Sequence, residues 1–172
     1  MKIGPLDTQA HVVIVAEIGN NHEGDLTRAR RMIQAAAEAG ADAVKFQTII
    51  PERLVCAEQQ ERLAQLRRFQ LSRADHEALA AEAANRDAVF LSTPFAIDAV
   101  DWLDALVPAY KVASGDNDFW PLLERLAMTR TVSSFCVWMK WEARTMARRK
   151  RTSRGFFSCA HSVRTLNTVC VK

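Results

Sequence analysis

Residues Val12–Gly24 read VVIVAEIGNNHEG. Val12–Val15 is an apolar run without alternation, as expected of a parallel strand covered on both faces. It leads into Glu17, a carboxylate costly to bury unless it has a partner or a task. A polar loop, Gly19-Asn20-Asn21-His22-Glu23-Gly24, follows, and then a helix. In α/β folds, ligand sites are built where such strands end.

The same plan repeats outward from this stretch. Asp25 is placed to cap a helix over Leu26–Ala39, with Leu26, Ala29, Ile33 and Ala36 on one stripe and Gly40 at the C′ position. A second strand is expected over Ala43–Thr48, completing a βαβ unit. Pro51 breaks the chain. Ala57–Phe69 reads as helical, and Ser72 caps a further helix reaching Asn85, with Asp75 placed for a capping box. Ala88–Thr93 is the third strand, closed by Pro94, and Ala96–Leu106 the next helix. Ala109–Ala113 is the fourth strand, Ser114-Gly115-Asp116-Asn117 its loop, and Pro121 suits the first turn of a helix reaching Ala127. Four βα units in a row imply parallel strands with right-handed crossovers. A closed (β/α)8 barrel needs about 200–250 residues, so four of its eight strands are readable here.

The pattern fails after residue 128. Residues 1–128 carry 13 Lys and Arg against 19 Asp and Glu, a balance of −6; residues 129–172 carry 10 basic residues against the single acid Glu142, a balance of +9. A fifth strand is due near 131–136, and Thr131–Val137 imitates one, but Met139–Arg154 shows no apolar period. The expected division is therefore 1–128 as the N-terminal half of a barrel and 129–172 as an irregular basic tail. Disorder alone does not recruit Trp and Cys, so out-of-frame translation is the preferred reading of the tail. A half barrel is also expected to leave two open strand edges and uncovered inner strand faces.

Period-2 alternation sorts the polar strand residues. With the apolar faces given to the outer helices, Glu17, Lys45, Gln47, Thr93 and Lys111 point inward near the carboxyl ends of their strands, with Ser114 just beyond. Two lysines at one mouth suit a small substrate carrying phosphate and carboxylate, and Ser114 with the N–H groups of Gly115 and Asp116 adds donors. Glu17 is placed to orient a hydroxyl or move a proton. A plain ion pair between Glu17 and Lys45 is the competing reading. His22 reads as a packed loop residue rather than a ligand, because His11, His76 and His161 are scattered. No GxGxxG or P-loop supports a nucleotide site. The cysteines fit no zinc spacing, and Cys56 reads as a reduced thiol.

At 172 residues, 49% hydrophobic and 25% charged, the chain has an ordinary globular composition. No apolar run approaches the ~18 residues of a membrane span, and the N-terminus lacks a signal-peptide core. A cytoplasmic location is expected.

Five segments carry a resemblance: AEIGNNHEGD at 16–25, GADAVKFQT at 40–48, FQLSRADHEAL at 69–79, FLSTPF at 90–95 and PAYKVASGDNDFWPLL at 108–123. In this order and spacing they resemble the sialic acid synthase family, which includes N-acetylneuraminate synthase and its legionaminate, pseudaminate and 9-phosphate relatives. The resemblance spans about residues 12–127. It implies a TIM (β/α)8 barrel, here truncated to roughly its first half. It also implies condensation of phosphoenolpyruvate with an N-acylated amino sugar to a nine-carbon 2-keto sugar acid and phosphate, assisted by Mn²⁺ or Mg²⁺. Lys45, Thr93, Lys111 and Ser114 match positions that hold phosphoenolpyruvate. Glu17 and Gln47 match polar positions around the reacting centre, taken as catalytic. Asp116 stands where relatives often have Glu, as a sugar-contacting position. The family's metal ligands lie beyond the matching region, so no metal ligand is assigned and this chain is expected neither to bind the metal nor to be active alone. The resemblance allows a homodimer and implies no membrane partner.

Three other readings remain. One is another phosphoenolpyruvate-dependent synthase of the octulosonate or heptulosonate kind, against which the NNHEG loop argues. A second is a non-catalytic protein whose basic tail binds nucleic acid, which no recognition motif supports. A third is a half barrel that assembles with a separately encoded half.

Overall fold

The computed structural model describes residues 2–129, 135–137 and 166–170. A small antiparallel hairpin, β1 (Lys2–Ile3) and β2 (Leu6–Asp7), comes first. Then follow β3 (Val13–Gly19), α1 (Leu26–Glu38), β4 (Ala43–Thr48), α2 (Pro51–Leu54), α3 (Gln60–Phe69) and α4 (Arg73–Ala84). The series continues with β5 (Val89–Pro94), α5 (Ile97–Leu103), β6 (Tyr110–Val112), a 3-10 turn over Ser114–Asp116 and α6 (Trp120–Ala127), and ends with β7 (Phe135–Val137) and β8 (Leu166–Cys170). The larger sheet has the order β7-β6-β5-β4-β3-β8, and every pairing in it is parallel. Strands β3 to β6 with their helices form roughly the first half of a TIM barrel.

Local chemistry sets the helix ends. The Asp25 carboxylate accepts from the Arg28 N–H and opens α1. Ser72 and Asp75 form the reciprocal capping box that starts α4. Pro51, expected to break the chain, instead occupies the first turn of α2, where its missing N–H is not needed.

The two faces of the sheet pack differently. Phe46, Phe90 and Val112 face outward and meet Ile33, Leu79 and Leu122 of the helices in the main core. On the inner face, Val13, Val15, Ala43, Leu91 and Ala109 form a second cluster with Ile3. The expectation of an uncovered inner face is corrected here: the β1–β2 hairpin places Ile3 against the amino-terminal ends of the strands. Two open edges remain as expected, but they lie on β7 and β8 rather than on β6 and β3, because β8 pairs along β3 from Val13↔Leu166 to Glu17↔Cys170 and β7 pairs along β6. The fifth strand due near 131–136 thus appears as Phe135–Val137. The rest of the tail lies outside the described residues.

Candidate functional site

Parallel strands bring their carboxyl ends to one side of the sheet, and the polar residues gather there. A cleft of about 550 Å³ is lined by Glu17 of β3, Lys45 and Gln47 of β4, and Thr93 of β5. Lys111 of β6 and Ser114 and Asp116 of the following turn complete its polar wall. Leu54 and Phe95 add an apolar side. All seven residues singled out in the sequence therefore meet in one cleft.

Lys45 sits at its centre, only 5% exposed. Its ammonium group lies 2.8 Å from Glu17 Oε1 and donates to Thr93 Oγ1 at 3.1 Å. Burial pushes the Lys45 pKa below its ordinary value, Glu17 pulls it back up, and the nearby Lys111 cation pushes it down further. The competing reading, a Glu17–Lys45 ion pair, thus describes a real contact. The contact leaves the cation inside the cleft, with Lys111 beside it.

A bulge in β3 between Glu17 and Gly19 shifts the register with β4, which resumes at Gly19↔Phe46 before the chain enters the loop. There Asn20 Nδ2 donates to Gln47 Oε1 at 2.8 Å, which fixes the Gln47 amide. Sequence pattern alone does not identify Asn20 as a partner, because this contact depends on how the bulge aims the loop. His22 is 1% exposed, and its ring packs against Phe46 at a centroid distance of 5.9 Å. Its Nδ1 accepts from the Gly24 N–H at 3.0 Å. It is a packed loop residue, and the cleft does not include it.

Asp116 lines the cleft near Lys111. Burial raises its carboxyl pKa, and Lys111 opposes the rise. Its Oδ2 is buried and has no hydrogen-bond partner among the described residues. A buried oxygen in that state is an open hydrogen-bonding position, here on a residue that lines the cleft.

Among the described residues, no group of three or more His, Cys, Asp or Glu side chains is arranged to hold a metal ion. The nearest carboxylate, Glu17, is already engaged by Lys45. No described helix is long and apolar enough to cross a membrane.

Residues 32–134 match the NeuB family. The chain is 33% identical over 129 residues to N,N'-diacetyllegionaminic acid synthase of Campylobacter jejuni, covering 67% of this chain and 39% of that protein. It is 35% identical over 127 residues to N-acetylneuraminate-9-phosphate synthase of Mus musculus, covering 66% and 35%. The crystal structure of the N-acetylneuraminic acid synthetase of Leptospira borgpetersenii superposes with a TM-score of 0.71 at 29% identity, covering 80% of this chain and 48% of that one. The chain thus spans less than half the length of these relatives.

Proposed function

Because the chain belongs to the NeuB family, we propose that its cleft binds phosphoenolpyruvate and an N-acylated amino sugar and belongs to a sialic acid synthase-type centre. The observation that carries this reading is the convergence of Lys45, Thr93, Lys111 and the Ser114 turn on one cleft. Phosphoenolpyruvate carries a phosphate and a carboxylate, and two ammonium groups with hydroxyl and backbone donors complement both. In this reading Lys45, Thr93, Lys111 and Ser114 hold phosphoenolpyruvate, while Glu17 and Gln47 face the reacting carbons.

Three carbons from phosphoenolpyruvate and six from the sugar give a nine-carbon 2-keto acid. The new bond joins the methylene carbon of the enol to the sugar's carbonyl carbon. Water supplies the oxygen required to release phosphate. Glu17 is the group placed to orient a hydroxyl or move a proton. The Asp116 carboxyl offers its open oxygen to a sugar hydroxyl. Relatives of this kind are expected to use Mn²⁺ or Mg²⁺, and no described residue is assigned to hold it. The acyl group and any phosphate on the sugar are left to experiment.

The test is calorimetric titration of the purified 172-residue chain with phosphoenolpyruvate. Saturable binding that weakens about tenfold or more in Lys45→Met and in Lys111→Met is expected. Absence of saturable binding by the folded chain overturns the reading. Little or no phosphate release is expected when N-acylated hexosamines and Mn²⁺ are added. Metal-dependent consumption of phosphoenolpyruvate by this chain alone contradicts that part.

A further inference from the structure

Behind the cleft, on the helix-facing side of β4 and β5, three polar side chains are buried in the apolar core. They are Thr48, His76 and Ser92. Thr48 Oγ1 lies 3.0 Å from His76 Nε2 and 2.7 Å from Ser92 Oγ, and His76 Nδ1 lies 2.9 Å from the Ser72 carbonyl oxygen.

The chemistry of each group fixes the direction of these bonds. A carbonyl only accepts, so His76 Nδ1 carries the proton. Burial keeps the ring neutral by lowering its pKa, so Nε2 is the acceptor and the Thr48 hydroxyl donates to it. The Thr48 oxygen then receives the Ser92 proton. Ser92 Oγ also lies 3.5 Å from the Phe46 carbonyl oxygen of β4, a longer contact than the one to Thr48.

The relay stands one residue away from the cleft on both strands. Thr48 follows Gln47 and Ser92 precedes Thr93, and Gln47 and Thr93 are themselves register partners. On its other side β5 meets β6 at the single register pair Ser92↔Tyr110. Pro94 has no N–H with which to extend that pairing. The carboxyl end of β5 is therefore held from β4, and the Thr48–Ser92 bond ties the two strands together where Thr93 must stay within reach of Lys45.

We propose that Thr48, backed by His76 and completed by Ser92, is a positioning residue for the cleft. Its hydroxyl adds a side-chain tie to the backbone ladder at the ends of β4 and β5 and so helps hold Thr93 against the Lys45 ammonium group. The identity of the ligand rests on the function proposed above; the positioning of Lys45 and Thr93 does not.

Thr48→Val keeps the side-chain shape and removes the hydroxyl, whereas Thr48→Ser keeps the hydroxyl. Two readouts are taken on folded protein: the ¹⁵N resonance of the Lys45 ammonium group, and the calorimetric affinity for phosphoenolpyruvate. Thr48→Val is expected to shift the Lys45 resonance and weaken phosphoenolpyruvate binding about tenfold, and Thr48→Ser to restore both. A Thr48→Val protein that is less stable to urea yet keeps the wild-type resonance and affinity overturns the proposal and leaves the relay a packing feature. If Thr48→Val does not fold, Ser92→Ala keeps the Thr48–His76 bond and takes its place: a shifted resonance with weaker binding supports the positioning role, and wild-type values for both overturn it. If the wild-type chain fails to bind phosphoenolpyruvate, the functional reading falls, while the Lys45 resonance still decides the positioning role.

Discussion

Glu17→Gln preserves the shape of the side chain but removes the counter-charge from a nearly buried ammonium group. Breaking such a pair from one side is expected to cost about 3 kcal/mol in urea unfolding. Lys45→Met should cost less, because the Glu17 side chain keeps 24% of its surface exposed and can turn to water. A second residue-scale prediction concerns pH. Burial, aided by the neighbouring His76, lowers the His22 imidazole pKa from 6.5 to about 4. As pH falls, the unfolded chain takes up this proton before the folded one does. The stability contributed by the neutral ring is present above pH 6.5 and lost as pH falls toward 4, on the order of 3 kcal/mol. His76, also lowered by burial, adds to the slope with the same sign. Urea titrations at a series of pH values should show this slope, and His22→Asn should flatten it. The inward placement of Lys45 and Gln47 was legible in the sequence because β-strand alternation needs only residue parity. The partnership of Thr48, His76 and Ser92 was not legible, because it depends on the register between two strands and the docking of a helix.

Among the elements, the loop before α1 is pinned by backbone rather than by side chains. A Cβ on Gly24 would sit 2.0 Å from the Arg68 carbonyl oxygen, at a φ of +84. Gly40 has a similar φ of +83 but nothing within 4 Å of its Cβ position. The two glycines separate two costs. Gly40→Ala should lose only the left-handed backbone term, about 1 kcal/mol, whereas Gly24→Ala must also move the α3–α4 junction and should lose about 3 kcal/mol or more. Paired urea midpoints check the contrast. Helix α1 and strand β4 were readable because each has a long pattern with a stop signal. The β1–β2 hairpin was not, since two-residue strands have no period. Pro51 was ambiguous for a related reason: a proline that ends one segment and one that opens a helix look alike until the next turn is seen.

For the whole molecule, covering the inner face and filling the ladder beside β3 decide whether the sheet stays a single folded unit. Ile3 closes the inner cluster at the amino-terminal end of the strands, so Ile3→Ala is expected to cost about 2–4 kcal/mol, read from thermal or urea unfolding. Truncation before Leu166 removes β8 and exposes the β3 ladder from Val13 to Glu17. Concentration-dependent association should follow, visible by light scattering. Leu166–Cys170 lies in a basic stretch whose charge hides its Thr and Val content, so its place beside β3 could not be read in advance. The parallel order of β3 to β6 could, because a βα repeat with right-handed crossovers leaves few alternatives.

The two neighbours of β3 are separated from it by very different lengths of chain. Val15 meets Ala43 after 28 residues, whereas Val13 meets Leu166 only after about 150. Closing the longer span costs about 1.5 kcal/mol more in chain entropy by the logarithmic loop law. In time, then, β3 and β4 should zip first and carry Glu17 to Lys45, with β8 arriving last, after the rate-limiting step. Substitutions in β8 should accordingly quicken unfolding while leaving the refolding rate nearly unchanged.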